Sequence, residues 1–306
     1  MLERVVFIGS KELGFSVLKE LNRQFSDRLK ACITVDDTGD SRSYLTEFRT
    51  YCSEHHQPLH ILSGKCDISD YIKEYSPDIC IVVGWYYLID TRLLSQVKGG
   101  FIGVHNSLLP KYRGFAPLVW QLINGEKKVG FSVFLLDDGL DTGDIFYQEE
   151  IEISEKDYIA DVLSIIEEKI LTFFKNYYKN LLEETLVRHV QKETGASFCG
   201  KRVASDGKIN WEWDSTRIYN FIRAQSSPYP GAYTTYKGKR IILWRAEVFG
   251  ADIYGSPGQI GMIDKKRGQI IIICGENTGL TVDEIEVEQK SLKAVDYIRS
   301  LRAKVE

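Results

Sequence analysis

The chain has 306 residues and a formal net charge of -4, with 39 basic and 43 acidic side chains. A general nucleic-acid-binding protein usually carries a basic surplus, so this balance favours another kind of partner. The length is sufficient for two domains with separate hydrophobic cores. Neither a signal peptide nor an apolar stretch of about 20 residues is found, so we expect a cytoplasmic protein without membrane contact.

Cysteine usage is typical of a reducing compartment. The sequence contains six cysteines and no C-x-x-C pair: Cys32, Cys52, Cys66, Cys80, Cys199 and Cys274. Several lie in apolar runs such as "DICIVVG", as reduced core cysteines do. We therefore expect free thiols rather than a disulfide framework.

The first half of the chain alternates short apolar runs with amphipathic stretches. The apolar runs predict strands: "RVVFIG", "LKACITVDD", "LHIL", "DICIVVG", "FIGVH" and "VGFSVFLLDDG". Between them, "KELGFSVLKELNRQ", "SYLTEFRTYCSEH" and "ISDYIKEYS" have helical spacing. Strands separated by helices predict a doubly wound, mostly parallel α/β sheet of the Rossmann-like type. Ligands of such sheets bind outside the carboxyl ends of the strands.

The second half begins with one long amphipathic helix, predicted from about Asp157. Its aromatic stripe indicates packing rather than a ligand site: Phe173, Phe174, Tyr177 and Tyr178. The stretch "VQKETGASFCGK" is typical of a linker, and the β-rich runs with Gly-containing turns after it predict a small β-barrel-like domain. We expect an N-terminal α/β domain at 1–188, a linker at 189–200 and an OB-like domain at 201–306.

The turn after the first strand matches a dinucleotide-binding motif only in part. That motif is G-x-G-x-x-G, and Gly9 and Gly14 occupy its outer positions. Lys11 takes the middle position, where a side chain obstructs the approach of a pyrophosphate. Asp36 and Asp37 end the second strand, where a ribose-binding acid would lie, but the incomplete motif gives nicotinamide binding little support.

The stretch "HNSLLPKYRG" contains the first candidate catalytic residues. His105 ends a predicted parallel strand, and the amide of the adjacent Asn106 is able to donate a hydrogen bond to a developing oxyanion. Downstream, "LLDDGLDTGD" is a loop rich in carboxylates and glycine. A carboxylate held against the imidazole would fix its tautomer, and a neutral imidazole is a suitable base near pH 7.

These two motifs resemble the folate-dependent formyltransferases. That family includes methionyl-tRNA formyltransferase, glycinamide ribonucleotide formyltransferase and the sugar N-formyltransferases of bacterial surface polysaccharides. The similarity extends to "VVFIGSKELGFSVLKEL" at the start and to "RVASDGKINWEW" and "FIRAQSSPYPGAYTTYKGKRIILW" in the second domain. From "LLPKYRG" to "PYPGAY" the chain is most similar to sugar formyltransferases of the aminoarabinose type.

The resemblance implies transfer of the formyl group of 10-formyltetrahydrofolate, without a metal, to the primary amine of a nucleotide-linked amino sugar. By motif position, three residues would be catalytic: His105, Asn106 and Asp141. Six would line the folate pocket: Trp85, Tyr86, Tyr87, Leu88, Asp138 and Gly139. Four would bind the substrate: Ser107, Lys111, Arg113 and Gly114. Exposed strand edges in the second domain would allow a homodimer.

The chain departs from the family pattern at one position. The family has an Asn two residues before the catalytic His, whereas this chain has Gly103. Either Asn106 supplies the missing amide, or His105 and water stabilise the oxyanion, or the enzyme is impaired. We favour the first interpretation.

Three other functions stay open on the sequence alone. A methionyl-tRNA formyltransferase would share the first domain but would need a basic surface for tRNA, which the acidic balance disfavours. A non-catalytic binding protein could have kept the fold and lost the Asn. A nicotinamide-dependent oxidoreductase is the third, and a cofactor-binding test would exclude it.

Overall fold

Seven strands form the N-terminal sheet of the computed structural model, which describes residues 1–64 and 67–306. Their bounds are β1 Val5–Gly9, β2 Leu29–Val35, β3 Leu59–Leu62, β4 Ile79–Val83, β5 Phe101–His105, β7 Lys128–Leu135 and β8 Ile145–Glu152. Two short strands lie outside this sheet: β6 Arg113–Gly114 and β9 Phe198–Cys199. The order of the sheet is β3–β2–β1–β4–β5–β7–β8. Strands β1 and β4 are buried along their whole length, as continuous apolar runs in a covered sheet are.

The sheet is parallel from β3 to β5 and reverses at β7. Strands β3, β2, β1, β4 and β5 pair in parallel. Strands β5 and β7 pair antiparallel, with Gly103 opposite Phe134 and His105 opposite Ser132. The predicted doubly wound, mostly parallel sheet is confirmed. Periodicity did not reveal the reversal, because a helix lies between β5 and β7 and gives the strand–helix–strand order of a parallel unit.

In the described residues, six helices precede the C-terminal strands. They are α1 Lys11–Phe25, α2 Leu45–Glu54, α3 Ser69–Tyr75, α4 Thr91–Leu94, α5 Pro117–Ile123 and α6 Ile159–Leu182. Helix α6 is the long helix that the sequence predicts. In its aromatic stripe Phe173, Phe174 and Tyr178 are buried, which confirms the packing role predicted for these three, whereas Tyr177 is exposed.

Glu167 on α6 gives the protein a pH-dependent stability. Burial, and then the nearby Glu12 carboxylate, raises the pKa of Glu167 to about 7. This lies above the ordinary carboxyl value of roughly 4.3, so the fold favours the protonated form. The protonated Glu167 carboxyl makes its full contribution to the free energy of unfolding at pH values below the ordinary pKa. This contribution is lost as the pH rises through the folded-state pKa.

Glu167→Gln is therefore expected to raise the midpoint of thermal unfolding by a few degrees at pH 8 and hardly at all at pH 4. The neutral amide has the shape of the protonated carboxyl and never has to lose a proton inside the fold. Circular dichroism melts at both pH values measure the effect. An equal shift at the two pH values would contradict the explanation by protonation.

Two four-stranded antiparallel sheets form the β-rich C-terminal part. One contains β10 Ala232–Tyr236, β11 Lys239–Leu243, β16 Glu284–Val287 and β17 Lys290–Lys293, and the other contains β12 Glu247–Phe249, β13 Ile260–Asp264, β14 Gln269–Ile273 and β15 Gly279–Val282. Helices α7 Ser215–Gln225 and α8 Ala294–Tyr297 and the 3₁₀ turns Ala204–Gly207 and Gly275–Asn277 complete it. Side chains from both sheets and α7 share one buried core, as the predicted β-rich domain requires.

The chain divides into two compact units that are interleaved along the sequence. The first contains Met1–Gly114, Gly130–Ile151 and Ser164–Phe198, and the second contains Phe115–Val129, Glu152–Leu163 and Cys199–Glu306. Within the second unit, α5 contacts α7, and Tyr158 belongs to the β-rich core. The consecutive ranges 1–188, 189–200 and 201–306 stay predictions.

Three further sequence expectations concern cysteines, membrane spans and metals. Five cysteines of the described residues are free and buried, namely Cys32, Cys52, Cys80, Cys199 and Cys274. Cys66 lies outside the described residues. Across 1–64 and 67–306, no helix combines the length and the apolar character needed to cross a bilayer. In the same part of the chain, no three His, Cys, Asp or Glu side chains are grouped to hold a metal ion. The expected lack of a metal stays a prediction.

Candidate active site

The candidate site begins where β4 and β5 end side by side. The two strands pair in parallel, with Val82 opposite Gly103. Strand β4 is followed by Gly84 and Trp85, and β5 ends at His105. Ligands of doubly wound sheets bind at this edge, so the predicted folate-binding and catalytic motifs adjoin each other.

The ring of His105 is held from two sides. Its Nε2 lies 2.7 Å from the carbonyl oxygen of Tyr112, and its Nδ1 lies 3.5 Å from Oδ2 of Asp141. A carbonyl oxygen only accepts, so Nε2 carries a proton in this arrangement. The Asp141 carboxylate faces the other ring nitrogen and so limits how the ring turns. The structure thus brings together His105 and Asp141, which the motifs pair, while their catalytic roles stay a prediction.

Both residues that contact the nitrogens of this ring have a left-handed backbone conformation. Tyr112 has φ 58° and Asp141 has φ 54°, both in the left-handed region that non-glycine residues seldom adopt. Oδ2 of Asp141 also accepts a hydrogen bond of 2.7 Å from the backbone N–H of Gly114. The predicted substrate residue Gly114 therefore uses its N–H to hold the carboxylate. Strained residues of this kind mark functional sites, because the surrounding structure must hold them.

Two hydroxyl groups, one in the loop and one on β7, stabilise the loop after His105. Ser107 is fully buried and donates to the carbonyl oxygen of Lys111 at 2.6 Å. Ser132, opposite His105 on β7, donates to the carbonyl oxygen of Ser107 at 2.6 Å and accepts from the N–H of Leu109 at 3.1 Å. Ser107 was predicted to bind substrate, but its hydroxyl shapes the loop because it has no contact with solvent.

Arg113 also has an internal role in place of the predicted substrate contact. Its side chain is 1% exposed. The guanidinium donates to Oε1 of Gln191 at 2.8 and 3.2 Å and to the carboxylate of Glu193 at 3.1 Å. A guanidinium enclosed in this way does not reach a substrate phosphate. Lys111, by contrast, is exposed, and its predicted role as a substrate-binding residue stays a prediction.

An exposed aromatic segment follows β4. Tyr86, Tyr87 and Leu88 are all exposed, and the two tyrosine ring centroids lie 4.8 Å apart. Burial of the hydroxyl, and then the Asp37 carboxylate, raises the pKa of Tyr86 well above its ordinary value. The indole Nε1 of Trp85 is buried and has no hydrogen-bond partner among the described residues. Exposed aromatic rings with one unused donor suit a flat, polar-edged aromatic ligand.

The remaining predicted folate-binding residues lie on the loop that leads to Asp141. Asp138 and Gly139 are both exposed. The loop is braced by Asp137, whose carboxylate accepts from the hydroxyl of Thr142 at 2.7 Å and from the N–H of Gly139 at 3.1 Å. Their predicted contact with the folate stays a prediction.

Lys11 fills the first turn of the sheet. Its Nζ lies 2.6 Å from Asp37 and 2.8 Å from Asp40, and it also lies 5.6 Å from the centroid of the Tyr86 ring. The side chain therefore occupies the turn that a dinucleotide motif keeps open.

At position 103, where the family has Asn and this chain has Gly, the side chains of Phe134 and Leu136 lie close to the backbone. A Cβ atom on Gly103 would lie 3.1 Å from the ring of Phe134 and 3.4 Å from Cγ of Leu136. A side chain at this position requires the ring of Phe134, which is itself buried, to shift by a few tenths of an ångström. Asn106 follows the last residue of β5 and is half-buried. Its replacement of the family amide stays a prediction.

Several residues of the site were not recognised in the sequence. In the sequence, the one feature that distinguishes Ser132 is that it is a single hydroxyl-bearing residue within the apolar run "VGFSVFLL". Gln191, Glu193 and Ser197 lie in the stretch predicted as a linker and carry no signal of their own. Their contacts depend on the fold, which brings that stretch against the loop after His105.

Comparison of the sequence with protein families gives two matches. Residues 50–173 match the family described as "Formyl transferase", and residues 202–302 match "Formyl transferase, C-terminal domain". A methionyl-tRNA formyltransferase of Caldanaerobacter subterraneus subsp. tengcongensis is 33% identical over 298 residues, which cover 93% of this chain and 92% of the relative.

Two solved structures show the same fold at lower identity. An N-formyltransferase of Helicobacter canadensis, in complex with folinic acid and dTDP-3-aminofucose, superposes with a TM-score of 0.69. It is 17% identical, and the superposition covers 92% of this chain and 99% of that one. A sugar 3N-formyltransferase, solved with dTDP and 5-N-formyl-THF, gives a TM-score of 0.67 at 16% identity, covering 95% of this chain and 99% of that one.

Proposed function

Because the chain belongs to the formyl transferase family, and is therefore a one-carbon transferase, we propose that it moves the formyl group of 10-formyltetrahydrofolate to an amine of a nucleotide-linked amino sugar. The observation that carries this proposal is the His105–Asp141 pair at the sheet edge where the exposed aromatic segment begins. The amino-sugar acceptor is supported by the motif similarity and by the net charge of -4. The product would serve surface polysaccharide biosynthesis.

The residues after β4 fit the pterin ring of the folate. Tyr86, Tyr87 and Leu88 offer an exposed apolar and aromatic surface, and Trp85 offers a buried indole N–H that lacks a partner among the described residues. Asp138 and Gly139 would extend the pocket from the loop before Asp141. When bound, the folate supplies the formyl carbon that the amine attacks.

His105 and Asp141 divide the work of the transfer. As the amine adds to the formyl carbon and the new C–N bond forms, negative charge would develop on the formyl oxygen. The bond to the folate nitrogen would then break, with the proton that the amine loses passing to that nitrogen, so that tetrahydrofolate leaves. His105 donates from Nε2 to that oxygen, at the acceptor position that the carbonyl oxygen of Tyr112 occupies at 2.7 Å. This requires the peptide group between Tyr112 and Arg113 to turn away, which also breaks the hydrogen bond of 2.8 Å from the Arg113 N–H to the carbonyl oxygen of Ser197. Asp141 holds the ring and takes the amine proton, directly or through water.

Asn106 is the proposed second donor to the formyl oxygen, in place of the amide missing at Gly103. Asn106→Ala is expected to lower kcat by about 100- to 1,000-fold, because one oxyanion donor contributes about 2.7–4 kcal/mol. Steady-state kinetics measure the effect. Asn180→Ala, which removes another half-buried amide at the end of α6, serves as the control. If Asn106→Ala turned over at the parent rate, Asn106 would not be a donor to the formyl oxygen.

The proposed setting is a small-molecule reaction in the cytoplasm, without a membrane or nucleic-acid partner. The exposed ammonium of Lys111 would contact a phosphate of the nucleotide through charge-assisted hydrogen bonds. A homodimer paired through strand edges of the β-rich part is part of the same proposal.

A second candidate is a methionyl-tRNA formyltransferase. The observation that favours it is the 33% identity to such an enzyme over 93% of this chain. The candidate requires binding that weakens steeply with salt, since tRNA is held through its phosphates.

One assay separates the candidates. The protein is incubated with 10-formyltetrahydrofolate and either a panel of UDP- and dTDP-linked amino sugars or charged initiator tRNA, and products are identified by mass spectrometry. We expect formylation of an amino sugar, lost in His105→Ala and Asp141→Ala. Formylation of the tRNA alone would select the second candidate. Folate binding without transfer to any acceptor would indicate a non-catalytic binding protein.

A further inference from the structure

We propose that Gln191 is a positioning residue that keeps the Asp141 carboxylate against His105 and links it to Arg113 in the loop after His105. The stretch predicted as a linker would then be part of the active site. This inference rests on the catalytic role proposed for Asp141. Its test includes a measurement that needs no substrate.

The amide of Gln191 contacts both elements at once. Its Nε2 donates to the carbonyl oxygens of Asp141 at 2.9 Å and Gly143 at 2.8 Å. Its Oε1 accepts from the guanidinium of Arg113 at 2.8 and 3.2 Å. Both N–H donors and both acceptor sites of the amide are thus in use. Gln191 is 9% exposed, so water does not replace these bonds readily when they are lost.

Residues after Gln191 hold the same loop through other atoms. The hydroxyl of Ser197 accepts from the N–H of Tyr112 at 2.8 Å, and the carbonyl oxygen of Ser197 accepts from the N–H of Arg113 at 2.8 Å. The carboxylate of Glu193 pairs with the Arg113 guanidinium at 3.1 Å. The segment 191–197 therefore holds the loop after His105 in the arrangement without substrate, in which the Tyr112 carbonyl oxygen faces the ring.

The position of these bonds explains why they would matter for catalysis. Asp141 has a left-handed φ of 54°. Gln191 donates hydrogen bonds to the carbonyl oxygen of Asp141 and to that of Gly143, two residues later. The direction of the carboxylate follows from the direction of this backbone. That carboxylate lies 2.7 Å from the N–H of Gly114 and 3.5 Å from His105. Loss of the amide would let the carboxylate turn away from the ring.

Two substitutions separate the contacts. Gln191→Met keeps the length of the side chain and removes every hydrogen bond. Gln191→Glu keeps an acceptor for Arg113 but replaces the two donors with a carboxylate oxygen facing the carbonyl oxygens of Asp141 and Gly143. Lys192→Ala changes the exposed neighbouring side chain and serves as the matched control.

We expect both Gln191 variants to lower kcat by about 10- to 100-fold, the effect of a small misplacement of a reacting group, with little change in KM. In the free protein, the NMR signal of the Gly114 amide proton should move upfield and its hydrogen exchange should accelerate, because its acceptor on Asp141 is displaced. Lys192→Ala should change neither quantity. Thermal unfolding identifies folded variants, and Gln191→Glu keeps the test available if Gln191→Met does not fold.

The outcomes are distinct. If folded Gln191→Glu or Gln191→Met keeps the parent's Gly114 amide signal and exchange rate, Gln191 does not position Asp141. If the signal changes and kcat does not, its contacts are structural only, and the inference is overturned. A changed signal in a protein that formylates no acceptor supports the positioning and refutes the proposed function instead.

Discussion

Asp141→Asn is expected to lower kcat by about 100- to 10,000-fold and to leave binding of the formyl donor almost unchanged. The substitution keeps the shape of the side chain, and the amide oxygen is still able to accept from the N–H of Gly114, as Oδ2 does at 2.7 Å. It removes the negative charge that lies 3.5 Å from Nδ1 of His105. The neutral amide does not accept the proton of the amine.

Steady-state kinetics on the identified acceptor, with folate binding measured by titration calorimetry, check this expectation. Asp70→Asn serves as a control, because its side chain is 94% exposed and lies on α3. A variant at Asp141 with reduced folate binding but the parent's kcat would show that the carboxylate binds the donor and takes no part in the transfer.

Gly143→Ala is expected to destabilise the protein by about 3 kcal/mol, at the upper end of the cost of overpacking. A Cβ atom at this position would lie 1.8 Å from the carbonyl oxygen of Leu135 and 2.9 Å from its carbonyl carbon. Both are backbone atoms of β7, so no flexible side chain is able to yield. The displaced loop also carries Asp141, and we expect kcat to fall together with stability.

Urea unfolding and kcat, measured on the same preparation, test this prediction. Gly39→Ala is the matched control, because no atom lies within 4 Å of a Cβ built on Gly39. An unfolding midpoint of Gly143→Ala equal to that of Gly39→Ala would show that the loop tolerates a methyl group and that the close approach of Leu135 is not required.

The fold could be predicted from the sequence because its strands and helices have distinct periods. Continuous apolar runs such as β1 and β4 indicated buried parallel strands, and the strand-end position of His105 indicated the ligand-binding edge. The reversal at β7 could not be predicted, since strand direction is decided by pairing with β5 rather than by local composition.

The candidate site was predictable where a motif carried it and not where long-range contacts did. His105 and Asp141 lie together, yet Ser107 and Arg113 are buried in the loop that motif position assigned to substrate. A charged or hydroxyl-bearing residue in a polar loop has the same appearance in sequence whether it faces solvent or the protein. The partner that decides the matter for Arg113 is Gln191, which is 78 residues away in the chain.

The packing of Phe134 and Leu136 against Gly103 also sets a condition on any redesign of this catalytic edge. A Cβ atom at Gly103 would lie 3.1 Å from the ring of Phe134, so a larger side chain fits only if that ring shifts by a few tenths of an ångström. An engineer who places an amide at this position should therefore vary Phe134, on the facing strand, together with Gly103.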